Sequence, residues 1–393
     1  MVFDSADNVE FVTELRKAYV ATLNCHYRVV PVCCKIHLTD FYRAMSQQMQ
    51  NAVFPSTSPT TNGATADWPA SVTSVWGRQP VRVAHQLHNS PLFSRNRLAQ
   101  LVEHYPREHY SIIQMGAQAN PETDAETNAS EISGQSSRQW DEGDIRNLSG
   151  EQILQSIERG RFWLNLRYTN DVDPEFRELQ DQILSELRER LPVTEHMSNP
   201  TLGVLISSPN AQVYYHCDLP NQSLWQISGS KSVYVYPAAE PFLSGEDLER
   251  IAIYELEVDL AYDPWFDDFA VKYDFQPGQM LHWPLNAPHR IENHNCLNVS
   301  VTTEYWTQKA LLNQRLNMAN GTLRYRLGMT PKSRSTSGAG FFTKSVVQAL
   351  LSRTGWLEKA RTSNKPLEFA LDSAQLGQTR ALADAPGASV GAK

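Results

Sequence analysis

Between Asn199 and Trp306 the chain is cut into eight short runs rich in Val, Ile, Leu, Tyr and Trp: TLGVLISSP, QVYYHC, SLWQIS, KSVYVYP, VKYDFQPG, QMLHWP, HRIEN and LNVSVTTEYW. Gly, Pro, Asn or Ser separates most neighbours, and one helical stretch, LSGEDLERIAIYEL, is inserted among them. Short runs bounded by turn residues, without a helix between each pair, predict antiparallel strands closing as a barrel or jelly roll. A chain of 393 residues that is 41% hydrophobic and 20% charged has the material to bury such a core.

Upstream the pattern mixes helix and strand. Residues 8–49 read as mostly helical, with Phe11, Leu15 and Tyr19 at spacing four and a short strand at 27–32; a Ser/Thr/Pro/Gly-rich linker follows to residue 70. PVRVAHQL, HYSIIQMG and FWLNLRY are strand candidates, and the polar stretch 120–144 reads as a surface loop. Helices are expected from Ser94, from Ser149 with Gln152 completing a capping box and Gly160 as the stop, and from Asp173 with Pro174 first. In the last of these, Phe176, Leu179, Ile183, Leu187 and Leu191 form an apolar stripe. After Trp306 the chain turns helical again. The domain expectation is 1–70 extension and linker, 71–306 main domain, 307–372 helical region and 373–393 disordered tail. The fold class is α+β: a double-stranded β-helix (jelly-roll/cupin) barrel with flanking helices and a helical C-terminal region.

A net charge of −8 argues against a nucleic-acid surface as the main feature. Cys25, Cys33, Cys34, Cys217 and Cys296 have no paired CxxC spacing, and an odd count fits a reducing compartment. The opening MVFDSADNVEF carries acids where a secretory signal needs a basic start, and no apolar run reaches the ~20 residues of a membrane span. The expected setting is the cytoplasm. A homodimer is the oligomeric form left open.

Chemistry concentrates in QVYYHCDLPNQSLWQISGSKSVYVYP, residues 212–237. An H-x-D triplet arises by chance in a chain this long about one time in three, so His216 and Asp218 alone say little. In a strand, however, residues i and i+2 share a face. His289, behind PGQMLHWPLNAP, sits on a late strand that can return beside the early one. Two His and one carboxylate with open positions suit non-haem Fe(II). Lys231, 15 residues after His216, lies in an apolar run where burial is costly unless it meets an anion.

YYHCDLPNQSLWQISGSKSVYVYP, FQPGQMLHWPLNAPHRIEN and LNVSVTTEYW together resemble the JmjC/cupin-like 2-oxoglutarate oxygenases, in particular their asparaginyl-hydroxylase-type branch. H-x-D, Q-I-x-G-x-K, P-G-[DQ]-x-[LI]-x-x-P and a distal His occur in that order over about residues 212–306. The resemblance implies an Fe(II)- and 2-oxoglutarate-dependent hydroxylase of a protein side chain or small metabolite. His216, Asp218 and His289 would be the metal ligands and Lys231 the partner of the distal carboxylate. Gln222 falls where the relative carries an Asn near the co-substrate. Val213 replaces a Thr, and Glu304 an Asn; Tyr214, on the ligand face by strand alternation, is the candidate to replace the missing hydroxyl. His282 in MLHWP is the nearest decoy for the distal ligand. Two other readings remain: a non-catalytic cupin-like binding or transcription-regulatory protein, and a cupin isomerase or dioxygenase that does not use 2-oxoglutarate. Neither gives Lys231 a task.

Overall fold

Every one of the eight runs forms a strand in the computed structural model, which describes residues 63–65, 68–69, 71–114, 141–191, 196–254, 260–354 and 367–382. They are β5 (Ser198–Ser207), β6 (Gln212–His216), β7 (Asn221–Ser228), β8 (Lys231–Val235), β9 (Val271–Phe275), β10 (Gln279–His282), β11 (His289–Asn293) and β12 (Asn298–Trp306). Before them come β1 (Val81–Ala84), β2 (Tyr110–Gln114), β3 (Asp141–Asp144) and β4 (Phe162–Leu166); after them come β13 (Phe369–Leu371) and β14 (Thr379–Ala381). All these residues lie in one compact unit, Gln50–Lys393. The expectations for the N-terminal helix and strand, for most of the linker and for Cys25, Cys33 and Cys34 fall outside the described residues.

Two sheets result. The larger has the order β1-β10-β7-β12-β5-β4-β2-β3-β13-β14, the smaller β6-β11-β8-β9. From β5 to β12 the chain passes from one sheet to the other at every connection except β8 to β9. Tight turns make this feasible. Gly229 between β7 and β8 sits at φ +74°, in the left-handed region open to glycine, and a Cβ there would meet the Leu297 carbonyl at 2.3 Å.

The helices are α1 (Ser71–Val75), α2 (Arg95–Glu103), α3 (Gly150–Arg159), α4 (Thr169–Val172), α5 (Pro174–Arg190), α6 (Gly245–Tyr254), α7 (Gln308–Gly321) and α8 (Gly338–Arg353). Helix α3 carries the complete Ser149–Gln152 capping box, and Asp173 caps α5 through the Glu175 amide with Pro174 behind it. Ser94 holds the N-cap position of α2, but its side chain makes no capping bond. The α5 stripe is buried as expected: Phe176, Ile183 and Leu187 join the core cluster against the larger sheet's own Leu164, Leu166, Leu202 and Val204. At the other end, α7 lies on α6. Asn320, Arg324 and Arg334 converge on the buried Glu249 carboxylate, satisfying a charge that would be costly alone. Gly321 permits the approach, because a Cβ would strike the Glu249 carbonyl at 2.7 Å.

Three short strands depart from the sequence pattern: β3 falls in the expected loop, β13 in the expected helical region and β14 in the expected disordered tail. β3 pairs with β2, and β13 joins β3 and β14. Their stability comes from partners: the buried Phe369 ring stacks on Phe162 at 6.1 Å. Among the described residues no helix is long and apolar enough to cross a membrane.

Candidate metal centre

His289 opens β11 directly opposite His216, the last residue of β6, so the two rings meet across one antiparallel pair with centroids 4.1 Å apart. Asp218 follows two residues after His216 and brings Oδ2 to 3.5 Å from His289 Nε2. One ligand atom from each of the three lies within 4.8 Å of the others, and this is the group of three or more such side chains found among the described residues.

The tautomers are set by the backbone. His216 Nδ1 lies 2.7 Å from the Tyr214 carbonyl, and His289 Nδ1 lies 3.1 Å from the Ala287 carbonyl. A carbonyl only accepts, so each Nδ1 carries the hydrogen and donates it. Each Nε2 therefore keeps its lone pair toward the centre, the arrangement that metal-ligating histidines use. Asn286 Nδ2 donates to the Asp218 carbonyl at 2.7 Å, and the Gln222 amide, with its nitrogen turned inward, donates to the Asp218 carboxylate.

Burial acts on all of these groups. It raises the Asp218 carboxyl above its ordinary range, against the opposing pull of His216 and a Trp283 hydrogen bond. It holds His289 well below an ordinary histidine, helped by the neighbouring His216. Two imidazole Nε2 lone pairs and a carboxylate converge here as acceptors, and the donors Gln222 and Trp283 serve only the carboxylate. A divalent cation satisfies all three, and the mixed nitrogen and oxygen set suits Fe(II).

Directly paired residues share a face, which fixes what else points inward. On β8 and β11 the pairs are Val235–His289, Val233–Ile291 and Lys231–Asn293. Lys231 thus lies on the same face as His289, four β11 residues away, or about 13 Å of strand. Next to His216, Asp218 and His289 is a chamber of about 370 Å³ lined by both sheets. Val213, Leu224 and Ile291 form its apolar part, while Trp163, Thr302 and Glu304 line the wall from the larger sheet. Lys231 is 2% exposed, and burial lowers its ammonium from the usual 10.5 to about 7. Its Nζ donates to Ser300 Oγ at 2.8 Å. Among the described residues no carboxylate forms an ion pair with it.

The structure therefore gathers His216, Asp218 and His289 and puts Lys231 on the same inward face. Gln222 meets Asp218 itself. Tyr214 departs from the expectation. A register shift between β6 and β11, from His289–His216 to Ile291–Val213, inserts one extra β6 residue, so simple alternation fails. Val213 and His216 line the chamber and Tyr214 does not; its carbonyl instead orients His216. His282, the decoy, is buried on β10, stacked on Trp76 at 3.9 Å and bonded to Ser223, apart from the triad. Sequence reading gave no role to Ser300 or to Gln226, the first residue of the Q-I-x-G-x-K block; Ser300 accepts from Lys231 and Gln226 accepts from Ser300. The available signal was a glutamine inside the apolar run SLWQIS.

No family model matches this sequence, and no curated protein does. Among solved structures the chain is similar to E. coli ycfD, at 17% identity over 76% of this chain and 71% of that one, with a TM-score of 0.39. It is likewise similar to YcfD, a ribosomal oxygenase from Escherichia coli in complex with cobalt and 2-oxoglutarate, at 17% identity, 79% and 75% coverage and a TM-score of 0.37. DMSP lyase DddQ from Ruegeria pomeroyi DSS-3 matches 27% of this chain and 38% of its own at 8% identity and a TM-score of 0.18. Likenesses of this size carry no weight for activity; the side chains of this protein do.

Proposed function

We propose that this protein is an Fe(II)- and 2-oxoglutarate-dependent oxygenase of the JmjC/cupin-like type, with β5–β12 forming a double-stranded β-helix around its site. One observation supports the reading above the others. A single inward face carries a cation-shaped gap at one end, made of two Nε2 atoms and a carboxylate, and a buried lysine ammonium at the other. A divalent metal answers the first need and a carboxylate the second. A short dicarboxylate reaching from metal to lysine meets both, which gives Lys231 a task that a metal-only isomerase or a pure binding module lacks.

His216 and His289 would hold the metal through Nε2, with Asp218 as the anionic ligand, and their Nδ1–H bonds to Tyr214 and Ala287 keep both rings in that orientation. When bound, Fe(II) with 2-oxoglutarate and dioxygen supplies the chemistry that inserts one oxygen atom into a substrate C–H bond and the other into succinate, with carbon dioxide released. Lys231 has three N–H donors, one of which is used by Ser300, leaving two for the distal carboxylate. Val213, Leu224 and Ile291 put apolar surface beside the triad, where a lower local dielectric strengthens charge interactions. The substrate class that fits is a protein side chain or a small metabolite presented to the Trp163 and Glu304 wall.

The test is succinate formation from 2-oxoglutarate by the purified protein with Fe(II). Turnover by the parent, abolished in His216→Ala and Asp218→Ala, is expected. Full turnover by either variant contradicts the proposal.

A further inference from the structure

The lysine end of the site is held by a hydrogen-bond chain whose direction can be worked out donor by donor. Gln226 Nε2 faces three acceptors: the Ser228 carbonyl at 2.8 Å, the Gly229 carbonyl at 3.0 Å and Asn298 Oδ1 at 2.8 Å. Asn298 keeps Oδ1 there because its own Nδ2 donates to the Cys296 carbonyl at 3.0 Å. With its nitrogen so engaged, Gln226 must turn Oε1 toward Ser300, whose hydroxyl donates to it at 2.7 Å. The Ser300 hydrogen is thereby spoken for, and its oxygen is left to accept. Lys231 Nζ takes that position.

Gln226, Ser300 and Asn298 are all 0% exposed, so this chain is sealed from water. It also joins the two sheets, since Lys231 starts β8 while Gln226 and Ser300 lie on neighbouring strands of the larger sheet. A neighbouring bridge does the same: Asn293, paired with Lys231, donates to Ser207 Oγ at 2.7 Å and to the Ser208 carbonyl at 2.8 Å. Buried polar networks with every member satisfied are rigid and specify one geometry.

We infer that Gln226 and Ser300 are positioning residues for the co-substrate: they fix the height and direction of the Lys231 ammonium and leave its two remaining N–H groups for the co-substrate carboxylate. The inference rests on the function proposed above. A lysine without this backing could fold toward the closed end of the strands or sample several rotamers, and its ordering would then be charged against each binding event. The Ser300 oxygen also favours the charged form of the amine, so the same contact helps keep Lys231 protonated against its burial.

The experiment compares the parent with Ser300→Ala and Gln226→Met, using Fe(II) and 2-oxoglutarate. The expected result is a 2-oxoglutarate KM raised about tenfold in each, with kcat within about twofold and Co(II) affinity unchanged. In Ser300→Ala the pH at which KM begins to climb should also move down, because the acceptor that favoured the charged amine is gone. A purely structural role would not move that profile. Parent-like KM and pH profiles in both variants overturn the inference alone, as does a loss of Co(II) affinity in step with KM. Absence of 2-oxoglutarate turnover in the parent overturns the proposed function and this inference with it.

Discussion

The two ends of the β8–β11 inner face solve opposite problems with the same strand geometry. At the His289 end the groups that converge are acceptors, and what is missing is positive charge. At the Lys231 end a buried ammonium keeps donors to spare, and what is missing is negative charge. Each end alone is costly: burial pushes Asp218 toward its neutral form and lowers Lys231 to about 7. Direct pairing of the two would remove the cost, yet about 13 Å of strand keeps them apart. Separated, they leave room for ligands whose charges complement both. The difference between the ends is therefore the specification of the ligand set: a cation at one and an anion at the other.

The largest way to break this comparison is to remove a ligand at the metal end. Asp218→Ala should weaken Co(II) binding by at least about a hundredfold in equilibrium dialysis, with the fold intact by circular dichroism. Binding within a few-fold of the parent would mean that the acceptor end is not a metal site.

Next in size is the other end. Lys231→Met should raise the 2-oxoglutarate KM by about a hundredfold and leave Co(II) affinity unchanged, since the loss is confined to the anion. It should also stabilise the ligand-free protein, and the pH dependence has a definite sign. The folded ammonium sits near 7 against the usual 10.5, so the unfolded chain binds the extra proton between those values. Burial of Lys231 thus costs the parent most at pH 7 and below, and the cost fades as pH rises toward 10.5. The groups around it do not reverse this: Asn293, Phe275, Ser300 and Gln226 are uncharged, and the Cys296 thiol only opposes the shift. Melting temperatures of parent and variant should differ most at pH 6 and converge by pH 10. A variant that melts lower than the parent at pH 6 would show that Lys231 has a buried anionic partner.

Smaller effects sharpen the metal end. Gln222→Ala removes a donor to Asp218 and should weaken Co(II) binding about tenfold while leaving the 2-oxoglutarate KM at fixed saturating metal near that of the parent. Tyr214→Phe should change neither by more than about twofold, because the Tyr214 carbonyl that bonds His216 is kept. A large effect of Tyr214→Phe on KM would restore the alternation reading of β6.

These last two residues mark where sequence reading runs out. His216, Asp218, His289 and Lys231 were legible because each is a polar group in an apolar run, at spacings that strand geometry can bring together. Tyr214 was misread because alternation assumes an unbroken ladder, and the register shift opposite His289 is a tertiary feature without a local signature. β3 and β14 were missed for a related reason: neither contains an apolar run, and each exists through its pairing partners. The partners of Lys231 were hidden because a buried glutamine and serine in a strand look the same in sequence whether they hold a lysine or only each other.

The measurement that bears most directly on the central claim is an anaerobic titration of the Fe(II)-loaded protein with 2-oxoglutarate, followed by visible absorption. The parent should develop a metal-to-ligand charge-transfer band that saturates with one equivalent. In Lys231→Met the same band should appear only at about hundredfold higher 2-oxoglutarate, and in Asp218→Ala it should be lost. A parent without the band, or a Lys231→Met variant that saturates with the parent, would contradict the pairing of a cation end with an anion end.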